Sequence, residues 1–182
     1  MEDGTVGGKE HLYFIHLQQL RPTSVGWIRV KSRNFSEHPR IQPNYLATAF
    51  DRDVMRKAVK GIRHIMSQKS IQPFNGGEFG SVAEAKTDVE IDAYLRESCR
   101  TGDHAACTLK MGSENDPNAV VDPKSMRIWG FQGLRSVDAS VMPSMIGGNL
   151  NAPVIMMAER ASDLIAGKPT LPPLTVPVYV PK

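Results

Sequence analysis

The spacing of apolar positions changes along this chain, and each change predicts a different element. Gly26-Trp27-Ile28-Arg29-Val30-Lys31-Ser32 alternates apolar and polar residues at period two, the pattern of a half-buried strand. The earlier run HLYFIHLQQL, from His11, is mixed apolar and reads with it as a strand-rich segment over 11–50. Asn34, Ser36 and His38–Pro39 mark a turn before Ile41-Gln42-Pro43-Asn44-Tyr45-Leu46. Two or three strands make a poor sheet alone, so this segment calls for others. From Asp51 the period becomes helical: Val54, Met55, Ala58, Val59, Ile62, Ile65 and Met66 share one stripe, with Asp51 placed as N-cap. Gly61 weakens that helix by roughly 1 kcal/mol relative to alanine. After a loop, SIQPFNGGEFGS, a second helix opens at Thr87-Asp88-Val89-Glu90 with capping-box spacing and continues through Ile91, Tyr94, Leu95 and Cys99.

Residues 101–148 lose both periods. Gly102, Gly112, Asp116–Pro117, Asp122–Pro123, Gly130 and Gly133 punctuate loops, with a short strand predicted over Leu134-Arg135-Ser136-Val137-Asp138. A third long helix is predicted from Asn151 to Ala166, burying Val154, Met157, Ala158, Ala161, Leu164 and Ile165. Gly167 suits its C′ position, and Pro169 prevents continuation. The tail from 169 to 182, with prolines at 169, 172, 173, 177 and 181, reads as extended. No internal repeat is visible.

At 182 residues with 41% hydrophobic residues, the chain can bury one sizeable core and a small second lobe. Its net charge of +3 is dispersed, which argues against a nucleic-acid surface. The run Arg52, Arg56, Lys57, Lys60, Arg63 follows a predicted helix and reads as a solvated face. Cys99 and Cys107 form neither a metal pattern nor a disulfide framework, and reduced thiols fit them best. No apolar run reaches the length of a spanning helix. The start, MEDGTVGGKE, carries no targeting signal and reads as frayed or as the edge of something longer.

Candidate chemistry is sparse. His104, in DHAACTLKMGS, sits in a loop of small residues that another molecule can approach. An imidazole is the side chain best suited to proton transfer near neutral pH. A plain loop histidine bonded to backbone is the competing reading. In MPSMIGGNLNAP, paired glycines lead into Asn149 and a helix N-terminus, which favours a ligand carrying or developing negative charge. Taken alone, Asn149 reads better as a helix cap or turn residue. His11, His16, His38 and His64 lack ligand spacing and read as structural, so no metal site is proposed. The fifteen glycines never stand two apart, so GxGxxG is absent, as are a Walker A loop, HExxH and GxSxG.

The segment HAACTLKMGSENDPNAVVDPKSMRIWGFQGLRSVDASVMPSMIGGNLNAPVIMMAERASDLIAGKP resembles the C-terminal signature of the glucose–methanol–choline (GMC) flavoprotein oxidoreductases, nearest their choline-oxidising members. LRPTSVGWIRVKSRNFSEHPRIQPNYL is similar to the end of the family's substrate-binding domain, so the resemblance covers roughly 12–180. It implies an α+β fragment: residues 1–100 as the end of the substrate-binding lobe, a sheet with helices, and 101–168 as the segment returning to the FAD-binding α/β domain. The tail from 169 follows. It implies FAD as cofactor and oxidation of a primary alcohol, choline to betaine aldehyde first, by proton abstraction and hydride transfer to flavin N5.

Residue by residue, the family's H-x-x-x-T-x-x-M-G pattern places its base at His104, and its second active-site position, His or Asn, at Asn149. The D-A/G-S segment that touches the cofactor matches Asp138, Ala139 and Ser140. Backbone from Asn149 through Asn151, Ala152 and Pro153 is implied to face the pyrimidine edge of the flavin. The N-terminal FAD-binding portion that carries the pyrophosphate motif is not in this sequence, so the chain is expected to be inactive alone. The electron acceptor stays open. For a eukaryotic protein the resemblance implies the mitochondrial inner membrane, and otherwise the bacterial cytoplasm. The sequence departs from the family in three places. Ala105 stands where Pro is common, Cys107 where Gly is frequent, and Asp103 where an aromatic residue often precedes the histidine. Such an aromatic could help enclose a quaternary ammonium, and Asp103 could attract it by charge instead. Another primary alcohol as substrate, and a non-catalytic partner-binding remnant, are the alternatives.

Overall fold

The computed structural model describes residues 12–169, 171, 172 and 174–177. His11 and the rest of the Pro-rich tail lie outside them, and the described tail carries no regular secondary structure. Contacts divide the described chain into two compact units, one of 12–19 and 46–98, the other of 20–45 and the residues from 99 onward. Residues 20–45 thus group with the later segment rather than with the helices that follow them in sequence.

The first unit is helical. Helix α1 spans Ala49–Met66. Its N-cap is Thr48, whose Oγ1 accepts the Asp51 N–H at 3.1 Å. Asp51 was the expected cap; it lies inside the first turn instead, 1% exposed, with one carboxylate oxygen 2.8 Å from Gln19 Nε2. A short helix α2 (Ser81–Glu84) precedes α3 (Asp88–Ser98). The predicted capping box is present: Glu90 Oε2 accepts the Thr87 N–H at 2.7 Å, and Thr87 Oγ1 accepts the Glu90 N–H at 3.3 Å. α1 packs on α3, with Met55 and Val59 buried on one helix and Ile91 and Leu95 on the other. Ile65, expected on the buried stripe, is exposed. The basic run on α1 is paired rather than merely solvated. Arg56 meets Asp92 at 3.2 Å, Lys60 meets Asp88 at 2.5 Å, Lys57 meets Asp53 at 2.7 Å and Arg63 meets Glu78 at 2.6 Å.

In the second unit, the strand-rich expectation shrinks to one hairpin. β1 (Trp27–Arg29) pairs antiparallel with β2 (Arg40–Gln42) in the register Trp27↔Gln42, Ile28↔Ile41, Arg29↔Arg40. Both strands are exposed on both faces, and residues 20–26 are irregular, as are 12–19 in the first unit. Pro39 and Pro43, on either side of β2, each lack a ladder donor, which keeps that strand short. The strand expected over 134–138 is a single bridge, Arg127↔Arg135. The core of this unit is Val121, Met126, Val141 and Ala161, with Leu109, Met111, Ile128, Met157 and Leu164 packed against it. Ala161, Met157 and Leu164 come from α4 (Asn151–Ile165). α4 ends as predicted: Gly167, at φ +68, donates to Leu164 O, and Lys168 N–H donates to Asp163 O. That is a Schellman motif with glycine in its left-handed position.

Candidate active site

The site is assembled by backbone. From Cys107 the chain runs beside a 3-10 turn at Ala139–Val141, and alternate amides of one segment bond successive carbonyls of the other. Cys107 N–H reaches Ala139 O at 3.2 Å, Leu109 N–H reaches Ser140 O at 2.9 Å and Met111 N–H reaches Val141 O at 2.8 Å. Asp138 caps the turn, its Oδ1 accepting the Ser140 N–H at 2.7 Å. Val141 is wholly buried, which anchors the turn to the core. The stitching sets the His104 loop on one side of a fixed point, while Gly147, Gly148 and Asn149 lead away from the other.

Across those 45 residues the two expected side chains meet: His104 Nε2 lies 2.9 Å from Asn149 Oδ1. Asn149 is exposed and His104 is half-buried. The other ring nitrogen, Nδ1, is buried without a partner. Nε2 is therefore the nitrogen on the open side. With Oδ1 toward the ring, Nε2 carries the proton; with the amide turned, Nδ2 donates to a lone pair on Nε2, and the two orientations differ only by that assignment. Asn149 is not a helix cap. The N-cap of α4 is Leu150, and the first turn has no side-chain cap at all.

Two left-handed residues frame His104: Asp103 at φ +58 and Cys107 at φ +71. Asp103 N–H is held by Thr101 Oγ1 at 3.0 Å. The conformation at Cys107 gives a physical reason for glycine at that position, since a Cβ there is strained. Burial pushes the Cys107 thiol up, so it stays protonated near neutral pH.

Of the other expected residues, Asn151, Ala152 and Pro153 form the first turn of α4, directly after Asn149. Asp138 and Ala139 are engaged internally, Asp138 through its carboxylate and Ala139 through its carbonyl. Sequence reading passed over Arg21. A Cβ built on Gly147 would stand 3.1 Å from Arg21 Nη2 and 3.2 Å from its Nε, so the guanidinium edge lies beside Gly147. Nothing local in Leu20-Arg21-Pro22 signals that contact. Among the described residues no group of three or more His, Cys, Asp or Glu could hold a metal ion, and no helix is long and apolar enough to cross a membrane.

The C-terminal model of the family described as GMC oxidoreductase matches residues 22–158, which include both members of the pair. The chain belongs to the GMC oxidoreductase family. It is 46% identical over 182 residues to the mitochondrial choline dehydrogenase of Homo sapiens, covering all of this chain and 30% of that protein. It is 41% identical over 177 residues to the oxygen-dependent choline dehydrogenase of Staphylococcus aureus (strain JH9), covering 97% of this chain and 31% of the relative. Among solved structures, an FAD-dependent oxidoreductase from Chaetomium thermophilum superposes with a TM-score of 0.72 at 30% identity, over 81% of this chain and 25% of that one. The fold is thus the α+β C-terminal portion of a GMC oxidoreductase, and the chain spans about 30% of the length of the curated relatives it matches.

Proposed function

We propose that this segment supplies the proton-transfer pair for FAD-dependent oxidation of a primary alcohol, choline to betaine aldehyde first. The observation that carries the reading is the 2.9 Å approach of His104 Nε2 and Asn149 Oδ1. A base and a hydrogen-bond donor on one oxygen are what alcohol oxidation requires, because removing hydride from carbon is easier from an alkoxide. In the working arrangement the hydroxyl enters between ring and amide. Its proton goes to Nε2, and Asn149 Nδ2 donates to the oxygen as negative charge develops there. The product is the aldehyde, with the proton left on the imidazole.

The residues fit FAD. The first turn of α4 lacks a side-chain cap, and a Cβ at Gly148 would find nothing within 4 Å. An uncapped helix start with open space before it suits the electron-rich edge of a flavin. Asn149, Asn151, Ala152 and Pro153 would hold that edge, with Asp138 and Ala139 beside it. FAD, when bound, supplies the two-electron oxidant. No GxGxxG stands in these 182 residues, so the dinucleotide half of the cofactor needs chain beyond them, and we expect no turnover from this chain alone. We assign residues 1–100 to the substrate-binding lobe, 101–168 to the return into the flavin domain, and 169–182 to the tail. For a eukaryotic protein we place the enzyme in mitochondria, as the human relative's name does for that protein.

The test is His104→Ala in a full-length GMC enzyme carrying this segment. Turnover should fall by about 10² to 10⁴ with flavin still bound. Full turnover in that variant would make His104 a loop residue and end the mechanism. Asp103, exposed beside His104, keeps another primary alcohol as the second reading. Equal kcat/KM for choline and its neutral isostere 3,3-dimethylbutan-1-ol would favour that reading.

A further inference from the structure

The geometry points to Arg21 as a positioning residue for the Asn149 amide, an inference that rests on reading His104 and Asn149 as the reacting pair. Gly147 and Gly148 are the only residues between Ile146 and Asn149, and the two glycines are bounded differently. At Gly148 a Cβ would meet nothing within 4 Å, so the backbone is open on that side. At Gly147 the same construction runs into Arg21: Nη2 at 3.1 Å, Nε at 3.2 Å and Cζ at 3.4 Å. The nearest three atoms all belong to one guanidinium, with its Nε–Nη2 edge leading. Among the described residues Arg21 takes part in no ion pair, so the contact is one of packing rather than charge pairing.

A glycine pair without a wall would let Asn149 drift, because glycine populates more backbone conformations than any other residue. α4 does not prevent this from its side, since Asn149 precedes the helix and gives it no cap. Leu150, 7% exposed, anchors the chain one residue later. The Arg21 edge supplies the missing boundary on the other side, two residues before Asn149. Between these two restraints the amide keeps its 2.9 Å contact with Nε2. Arg21 stands 126 residues earlier in sequence, immediately before a proline that limits its own backbone. Its role is mechanical: it touches no reacting atom.

The nitrogen-15 spectrum of the His104 ring in the 182-residue chain tests this without any turnover. Asn149→Ala sets the reference, the shift of the Nε2 resonance when its partner is removed. Arg21→Ala is expected to reproduce most of that shift, with a melting temperature within about 3 °C of the parent. Arg21→Lys, which keeps the charge and loses the planar edge, should behave like Arg21→Ala. Gly147→Ala pushes the guanidinium away from the same spot and should shift the ring likewise, with the double variant no worse than either single change. The Gly147→Ala arm carries the test where Arg21→Ala fails to fold. A His104 ring unmoved by Arg21→Ala or by Gly147→Ala overturns the proposal, and so does full restoration by Arg21→Lys. Because the readout is a ring nitrogen, it stands apart from the turnover of His104→Ala, which decides the function.

Discussion

Replacing Asn149 by alanine separates the two roles that its sequence position offers. If Asn149 capped α4, its loss would cost roughly 0.5–2 kcal/mol. In a protein of this size that lowers the melting temperature by about 1–8 °C. The structure assigns the N-cap to Leu150 and finds no side-chain cap bond. What Asn149→Ala removes is one exposed hydrogen bond to His104. Surface changes of that kind usually stay within about 0.5 kcal/mol, or about 2 °C. Turnover should respond on a different scale. A donor to a developing oxyanion is worth roughly 3 kcal/mol where water is excluded, which is about a hundredfold in kcat. Thermal melting of the 182-residue chain gives the first number, and steady-state kinetics of the full-length enzyme with flavin bound gives the second. Asn149→His keeps an N–H in reach and should recover most of the rate. A fall of 5 °C or more in melting temperature would reinstate the cap, and an unchanged kcat would remove the oxyanion role.

Gly26→Ala should open the hairpin, since its Cβ would stand 2.1 Å from Gln42 O and 2.7 Å from Pro43 O, both backbone atoms. Loss of hydrogen-exchange protection across β1 and β2 is expected, and retained protection would show that the strands can shift to make room. Glu90 has its carboxyl pulled below the usual range, first by the Thr87 N–H and then by the Thr87 hydroxyl and Lys86 N–H. A depressed folded-state value means the capping box adds stability above the unfolded carboxyl value, about 4.3, and loses it as pH falls through the lower folded one. The Thr87 and Lys86 amide signals should therefore titrate with Glu90 in the acid range and stop doing so in Glu90→Gln; an unchanged titration in that variant would assign it to another carboxylate.

What lies within one turn of chain was legible without coordinates. The capping box of Thr87 and Glu90, the Gly167 terminus and the extent of α4 all follow from residues three or four apart, whose side chains and amides meet as soon as a helix forms. The candidacy of His104 and Asn149 was legible too, through a motif whose spacing is a family habit. Other features needed the fold. Asp51 was the cap expected for α1, but Thr48 takes that place and Asp51 turns inward, where Gln19 reaches it from outside the helix. Alternation at 26–32 promised more sheet than two short strands, because a strand's length depends on neighbours that its own residues do not contain. The meeting of His104 with Asn149, and of Arg21 with Gly147, joins positions 45 and 126 residues apart. Such contacts carry no local signature: their cost is loop closure, and the burial of Val121, Val141 and Ala161 that offsets it exists only once the unit has packed.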